Sequence, residues 1–284
     1  MNSSQHKSVI RYYEQTDWDH RNVWNKGNYQ AAHFGIYDES ATHHKAALLN
    51  TNRILADLSG VSPGMLVMDA GCGWGGSALW LAKERKARVT GVNITPYQIA
   101  ECKIKAKKMD LHNVCTFVES DYCDTPFADE QFDVVWSCES LCHAANKEDF
   151  YRESFRILKQ GGRLVIADYH RIKRPNAKEE EKILQKWLDG WACIDIDTSQ
   201  EHHLHASRAG FTSVHQHDFS KQVEISLHNL YRHAARWSWI GTLGKHLRLI
   251  KPRRDKNVKG TKAMYHAYQQ GLWRYMVSIC TKGV

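Results

Sequence analysis

Four glycines fall within six residues in the stretch Val67 to Ser77, VMDAGCGWGGS, at positions 71, 73, 75 and 76. Glycine removes side chains where a ligand must approach the backbone, and it tolerates the left-handed conformations of tight turns. The spacing of Gly71, Gly73 and Gly76 satisfies a dinucleotide fingerprint, which draws a pyrophosphate to the start of the following helix. Asp69 argues against that anion. A carboxylate two residues before the first glycine, where a dinucleotide site usually carries an apolar residue, suits a cationic ligand better. A Rossmann-like domain for another nucleotide is the competing reading of the glycines alone.

Such a turn needs a strand before it and a helix after it. Apolar runs LVMDA (66–70), RVTGVN (88–93), CTFVES (115–120), FDVVWS (132–137) and RLVIAD (163–168) read as strands, with helical patterns at Ser77–Arg85, Pro96–Met109 and Lys147–Leu158 between them. Strands buried on both faces and spaced by helices predict a parallel sheet with right-handed crossovers. FTSVHQHDF (211–219) and LWRYMVSICT (272–281) alternate like edge strands and would complete it. The expected fold is α/β, a Rossmann-like doubly wound, mostly parallel seven-stranded sheet. Residues 1–60 and much of 170–265 fall outside this rhythm and are rich in Trp and Tyr; they read as an aromatic helical cap over the sheet. The expected organisation is a cap segment over 1–60, the ligand-binding core over 61–220, a cap insertion over 221–270 and a final core strand over 271–284.

Composition narrows the function classes. The 284 residues suffice for a substantial core, and no apolar run approaches the roughly 20 residues of a membrane span. The eight cysteines are scattered without a CxxC pair, and the first residues lack the apolar segment of a signal peptide, so a cytoplasmic protein with reduced thiols is expected. The formal charge of +8 is concentrated late, where Lys245, Arg248, Lys251, Arg253, Arg254, Lys256, Lys259 and Lys262 face only Asp255. A run of this kind reads first as a solvated face, and otherwise as a contact for an anionic small molecule or a membrane surface. Nucleic acid is not the expected partner, because no RNA-binding module or basic–aromatic pattern accompanies the run.

DAGCGWGGS resembles motif I of the class I S-adenosylmethionine-dependent methyltransferases, whose ligand carries an ammonium and a sulfonium. GVNITPYQ (91–98), ESDYCDTPF (119–127), FDVVWSCESLCH (132–143) and LKQGGRLVIAD (158–168) follow in the family's order, so the resemblance covers roughly residues 50–170. It implies S-adenosyl-L-methionine as cofactor. Gly71 and Gly73 would pass its methionine part, with Asp69 ordering the turn and reaching the ammonium through water. The ribose position departs from the pattern: Asn93 replaces the usual acid, followed by Ile94, with Gln98 as a supplement. Asp121 would accept from the adenine amino group, the Tyr122 N–H would meet the ring, and Ser137 completes the cofactor set.

Within that family, FDVVWSCESLCH, HFGIYD (33–38) and GLWRYMVSICTK look like the tocopherol and sterol C-methyltransferase branch, and DAGCGWGG is also similar to cyclopropane fatty acid synthases. Both place a glutamate after the fourth strand, where Glu139 stands. Methylating an alkene carbon leaves a cation that must lose a proton, which a neighbouring carboxylate can stabilise and take. His143 would share the face of Glu139 if a helix starts there, orienting the carboxylate or replacing it as base. The plain alternatives are a helix-capping Glu139 and a structural His143. The expected acceptor is a small apolar molecule, an isoprenoid or a prenyl diphosphate, contacted by Tyr13, Trp18, Trp24 and Phe34 and, if anionic, by Arg253 and Arg254. An O- or N-methyltransferase using His143 as base is the alternative, and a cofactor-binding, nucleic-acid-associated protein the alternative of another class. Cys138-x-x-x-Cys142-His143 and the cluster His202, His203, His205 lack partners at zinc-site spacing, so no metal is expected.

Overall fold

The computed structural model describes residues 3–24, 31–246 and 252–284. Its strands are β1 (Leu66–Ala70), β2 (Arg88–Asn93), β3 (Cys115–Glu119), β4 (Phe132–Cys138), β5 (Leu158–Arg171), β6 (Ser213–Asp218) and β7 (Trp273–Thr281). They form one sheet in the order β3-β2-β1-β4-β5-β7-β6, with β7 antiparallel to both neighbours and the other paired strands parallel. The apolar runs are continuous because both faces are covered. Val67, Val134 and Val165 point into one core, while Met68, Val135 and Ile166, one residue on, point into the other.

The doubly wound, seven-stranded sheet therefore stands as expected, with two differences. β5 runs from 158 to 171 rather than 163 to 168, because Leu158 pairs with Phe132 of β4 and β7 pairs as far as Arg171 opposite Trp273. β7 is not an edge strand: it lies between β5 and β6 and is buried along most of its length, and β6 takes the edge.

Helices α2 (His44–Ser59), α3 (Gly76–Glu84), α4 (Pro96–Lys108) and α5 (Lys147–Ile157) flank the sheet, and α7 (Ser199–Ala209) packs on α5. The aromatic-rich cap comprises α1 (Ser3–Asp19), α6 (Lys178–Trp191), α8 (Ser220–His246) and α9 (Pro252–Gln269). Trp187 of α6 and Trp273 of β7 are packing: they meet Tyr169 edge-on at 5.2 and 5.4 Å, and all three rings are buried.

The cap is held together where α6 crosses α9. A Cβ on Gly190 would stand 2.7 Å from the Gly260 Cα and 2.7 Å from the Lys256 carbonyl oxygen, so both helices use glycine to bring their backbones into contact. Gly190→Leu should lower the unfolding free energy by about 1–3 kcal/mol, the usual cost of overpacking, or by more if the crossing cannot widen. Urea denaturation checks this; a midpoint equal to that of the wild type would mean the crossing opens freely.

Candidate active site

The carboxyl ends of β1 to β4 meet on one edge of the sheet, and a cleft of about 320 Å³ opens there. One end is the glycine turn. The Gly71 and Cys72 N–H groups both donate to the Val92 carbonyl, at 2.8 and 3.0 Å, tying the turn to β2. The two leading glycines have different reasons. At Gly71, φ +80°, a Cβ would lie 2.5 Å from the Ser140 Cβ, so the protein itself needs the space. At Gly73, φ +52°, a Cβ would meet no protein atom within 4 Å, and the residue lines the cleft. Only at Gly73 would a side chain enter room left for a ligand.

Asn93, Ile94, Gln98, Asp121 and Tyr122 also line this end, so the structure brings most of the expected cofactor set together. Asn93 donates to the Gln98 Oε1 at 2.7 Å, which leaves the Gln98 Nε2 as a buried donor without a partner. The Asp69 Oδ2 is likewise buried and unpartnered. Burial pushes this carboxyl up to about 7, against the opposing pull of the Ala78 N–H. Asp69 stands behind the cleft lining, whereas Gln98 is on it. A ligand with hydroxyl groups supplies the acceptor that the Gln98 amide lacks, so the cleft residues fit S-adenosylmethionine. Asp121 accepts from the Cys123 N–H at 2.7 Å and meets the His6 Nε2 of α1 at 2.8 Å. The Tyr122 hydroxyl donates to the Ser140 carbonyl at 2.9 Å. Ser137 is fully buried, its hydroxyl 2.8 Å from that of Ser140, whose Oγ donates to the Ala70 carbonyl. It braces the turn from behind the cleft wall.

At the other end stand Glu139 and His143. Glu139 follows β4 with φ +51°, and only a 3-10 turn, Leu141–His143, comes after it. No helix therefore places the two on a common face; the fold brings them to the same cleft through the turn. Nor does Glu139 cap a helix. Its Oε1 accepts from the Phe34 N–H at 2.6 Å and the Tyr275 hydroxyl at 2.9 Å, and its Oε2 from the Tyr169 hydroxyl. Burial pushes the carboxyl up to about 8, although all three donors favour the charged form and restrain the rise.

The His143 Nδ1 donates to the Ala192 carbonyl at 3.1 Å, and its Nε2 lies 3.2 Å from the Tyr13 hydroxyl. Burial pushes the imidazole down, while Cys142 and the Ala192 carbonyl pull it up, with a net rise to about 9. The Cys142 pull is that of a thiolate. Hydrogen bonding to Cys193 and burial hold the Cys142 thiol well above its ordinary value, so at neutral pH that pull is missing and the Ala192 carbonyl and Asp168 remain to oppose burial.

Of the expected acceptor contacts, Tyr13 lines the cleft. Trp18 is 50 % exposed on α1, and Phe34 is fully buried between Tyr169 and Tyr275, serving Glu139 through its backbone. The side chains of Trp24, Arg253 and Arg254 lie outside the described part of the structure, as does Lys251. Sequence reasoning passed over Gln5, His6 and Val9, the α1 face that walls the cleft, and Tyr169 and Tyr275. The histidines of α7 are elsewhere: the His202 Nδ1 meets the Tyr151 hydroxyl at 2.9 Å, and its ring stacks on His170.

Comparison with known proteins agrees with this geometry. The family model described as a methyltransferase domain matches residues 68–166. The chain is 30% identical to 24-methylenesterol C-methyltransferase 3 of Arabidopsis thaliana, over 68% of this chain and 54% of that protein. It is 31% identical to 27-O-demethylrifamycin SV methyltransferase of Amycolatopsis mediterranei (strain S699), over 68% of this chain and 71% of that one. The chain spans about half the length of the curated relatives it matches first. Among solved structures, geranyl diphosphate C-methyltransferase from Streptomyces coelicolor A3(2), in complex with Mg²⁺, geranyl-S-thiolodiphosphate and S-adenosyl-L-homocysteine, superposes with a TM-score of 0.77. At 17% identity over 99% of both chains, that likeness is one of fold.

Proposed function

Because the chain belongs to the class I S-adenosylmethionine-dependent methyltransferases, we propose that it methylates carbon of a small, largely apolar acceptor, with an isoprenoid as the favoured class. The cofactor, when bound, supplies a methyl group on a sulfonium. The chain's own part is to hold that cofactor at Gly73, Asn93, Gln98 and Asp121, to seat the acceptor against Tyr13, and to take a proton from it at the Glu139 carboxylate. The observation that carries this reading is the Glu139 nest. Three donors aimed at one buried carboxyl offset part of the cost of its charge, and a cation arising on carbon is what such a charge would stabilise. The two tyrosine rings that hold it, with Phe34 edge-on to both, are buried.

Incubating the purified protein with cofactor carrying a ¹³C-methyl group and a panel of isoprenoids, quinols and phenols, followed by NMR of the product, tests the reading. The new methyl is expected on carbon. The O- or N-methyl alternative has its own observation, the Tyr13–His143–Ala192 chain of hydrogen bonds, in which the imidazole faces the cleft.

The lining bears on the acceptor's charge. Among the described residues no lysine or arginine lines the cleft, while Asp121 and Asp149 do. This favours an uncharged acceptor over a prenyl diphosphate. Of the late basic run, Lys259 is paired with Asp255 at 2.8 Å. Changing Lys251, Arg253, Arg254 and Lys256 together to Ser should therefore leave KM for the acceptor within about twofold, whereas loss of phosphate-pairing contacts would raise it by ~10-fold or more. Steady-state kinetics with the identified acceptor decide between the two.

A further inference from the structure

The turn after β4 and the loop after α6 are stitched together at the cleft wall. The Ile194 N–H donates to the Cys142 carbonyl at 3.2 Å, and the His143 Nδ1–H to the Ala192 carbonyl at 3.1 Å. The far loop is anchored in turn by the buried Arg171 guanidinium, which meets Asp195 at 2.9 Å and Glu181 at 2.7 Å. This arrangement gathers the Cys142 thiol, the Cys193 thiol and one His143 ring nitrogen within 4.8 Å of one another. Among the described residues no other such group of three occurs. The sequence gives no sign of it, because Cys193 lies fifty residues from its partners and follows no motif.

We propose that Cys142, His143 and Cys193 form a binding site for a thiophilic divalent ion, Zn²⁺ or a chemical equivalent, in the wall of the acceptor cleft. Two thiolates and one imidazole are a donor set that zinc uses with a fourth, open position. Closing onto such an ion brings the sulfurs to about 3.8 Å apart, so the ligand atoms need move by about 1 Å at most from the 4.8 Å limit. The ring nitrogen that takes the ion gives up one hydrogen bond, to the Ala192 carbonyl at Nδ1 or to the Tyr13 hydroxyl at Nε2, and the nitrogen that keeps its bond orients the ring. Both cysteines are buried and reduced, so they are held for the ion without being spent on a disulfide. On binding, both thiol protons leave to the buffer. Of the three ligands only His143 lines the cleft, so the ion sits behind that wall and leaves the glycine turn untouched.

The test titrates Co²⁺ into the reduced, chelator-treated full chain. One equivalent should bind, with a thiolate-to-cobalt charge-transfer band in the near ultraviolet, and Zn²⁺ should displace it. Cys142→Ser and Cys193→Ser should each weaken binding by more than about 100-fold, while Cys138→Ser, in the same sequence motif but outside the group of three, should not. S-adenosylhomocysteine should still bind the loaded protein. No charge-transfer band in the wild type, or a band that survives both substitutions, overturns the site. If a serine variant does not fold, X-ray absorption on the zinc-loaded wild type decides: two sulfurs at about 2.3 Å support the site, and fewer overturn it. These readouts need no turnover, so their failure leaves the methyl-transfer reading standing, and failure of that reading leaves them interpretable.

Discussion

Gly73→Val should abolish binding of S-adenosylmethionine and S-adenosylhomocysteine, with calorimetric affinity falling by at least about 100-fold. A valine at φ +52° carries a backbone cost of order 1–3 kcal/mol, and its branches extend from the one point of the turn where a Cβ finds open space. That space belongs to the cleft, so the fold should survive while the ligand is excluded. Near-ultraviolet circular dichroism matching the wild type, together with lost binding, is the expected pair of results. Gly71→Ala should behave otherwise. Its Cβ would strike Ser140 rather than a ligand, so the loss should appear as instability. Combining it with Ser140→Gly, which removes the 2.5 Å clash but not the strain of φ +80°, should restore part of that stability. A Gly73→Val variant that binds either ligand normally would show that the cofactor does not pass this turn.

The contrast between these glycines shows where sequence reading stops. The five parallel strands were legible because burial on both faces writes itself as a continuous apolar run, as in Val134–Val135 and Val165–Ile166. The residues at the glycine end of the cleft were legible because they lie at or just past the carboxyl ends of those strands, at Gly71, Asn93 and Asp121. What each residue touches was not. Phe34 looked like an acceptor contact, yet its ring is core and its N–H, 105 residues away in sequence, holds Glu139. Tyr275 reaches the same carboxylate across 136 residues. No local pattern encodes such partners; they meet because β7 enters the sheet beside β5 and carries Tyr275 opposite Tyr169. Aromatic residues of the cap gave no sequence signal separating Tyr13, on the cleft, from Trp18, on the outer face, since both lie on an amphipathic helix whose partner was unknown.

Glu139→Gln should lower kcat by at least about 10²-fold, with KM for the acceptor little changed, if the methyl goes to carbon. Much of methyl transfer is placement, because the methyl on a sulfonium is already electrophilic. For a phenolate or an amine, placement and one deprotonation suffice, and His143 faces the cleft to perform it. An alkene offers no acidic proton beforehand; its difficulty is the cation left afterwards, which requires a negative charge and then a base. Gln keeps the volume but removes both, and its amide N–H₂ would turn one donor toward the Tyr169, Tyr275 or Phe34 donors that now surround the carboxylate. The tyrosines permit a second, independent measurement. They favour the charged carboxylate, so Tyr169→Phe and Tyr275→Phe should push its pKa higher still. The active, ionised form is lost as pH falls through that value, so the acid limb of the kcat profile should move to higher pH in both variants while the plateau above it is kept. A merely structural role for these hydroxyls would lower the whole profile without moving the limb. On the heteroatom reading the ranking reverses: His143→Ala is crippling, Glu139→Gln is mild, and the limb follows His143. Fully active Glu139→Gln, or product methylated on oxygen or nitrogen, would end the carbon assignment.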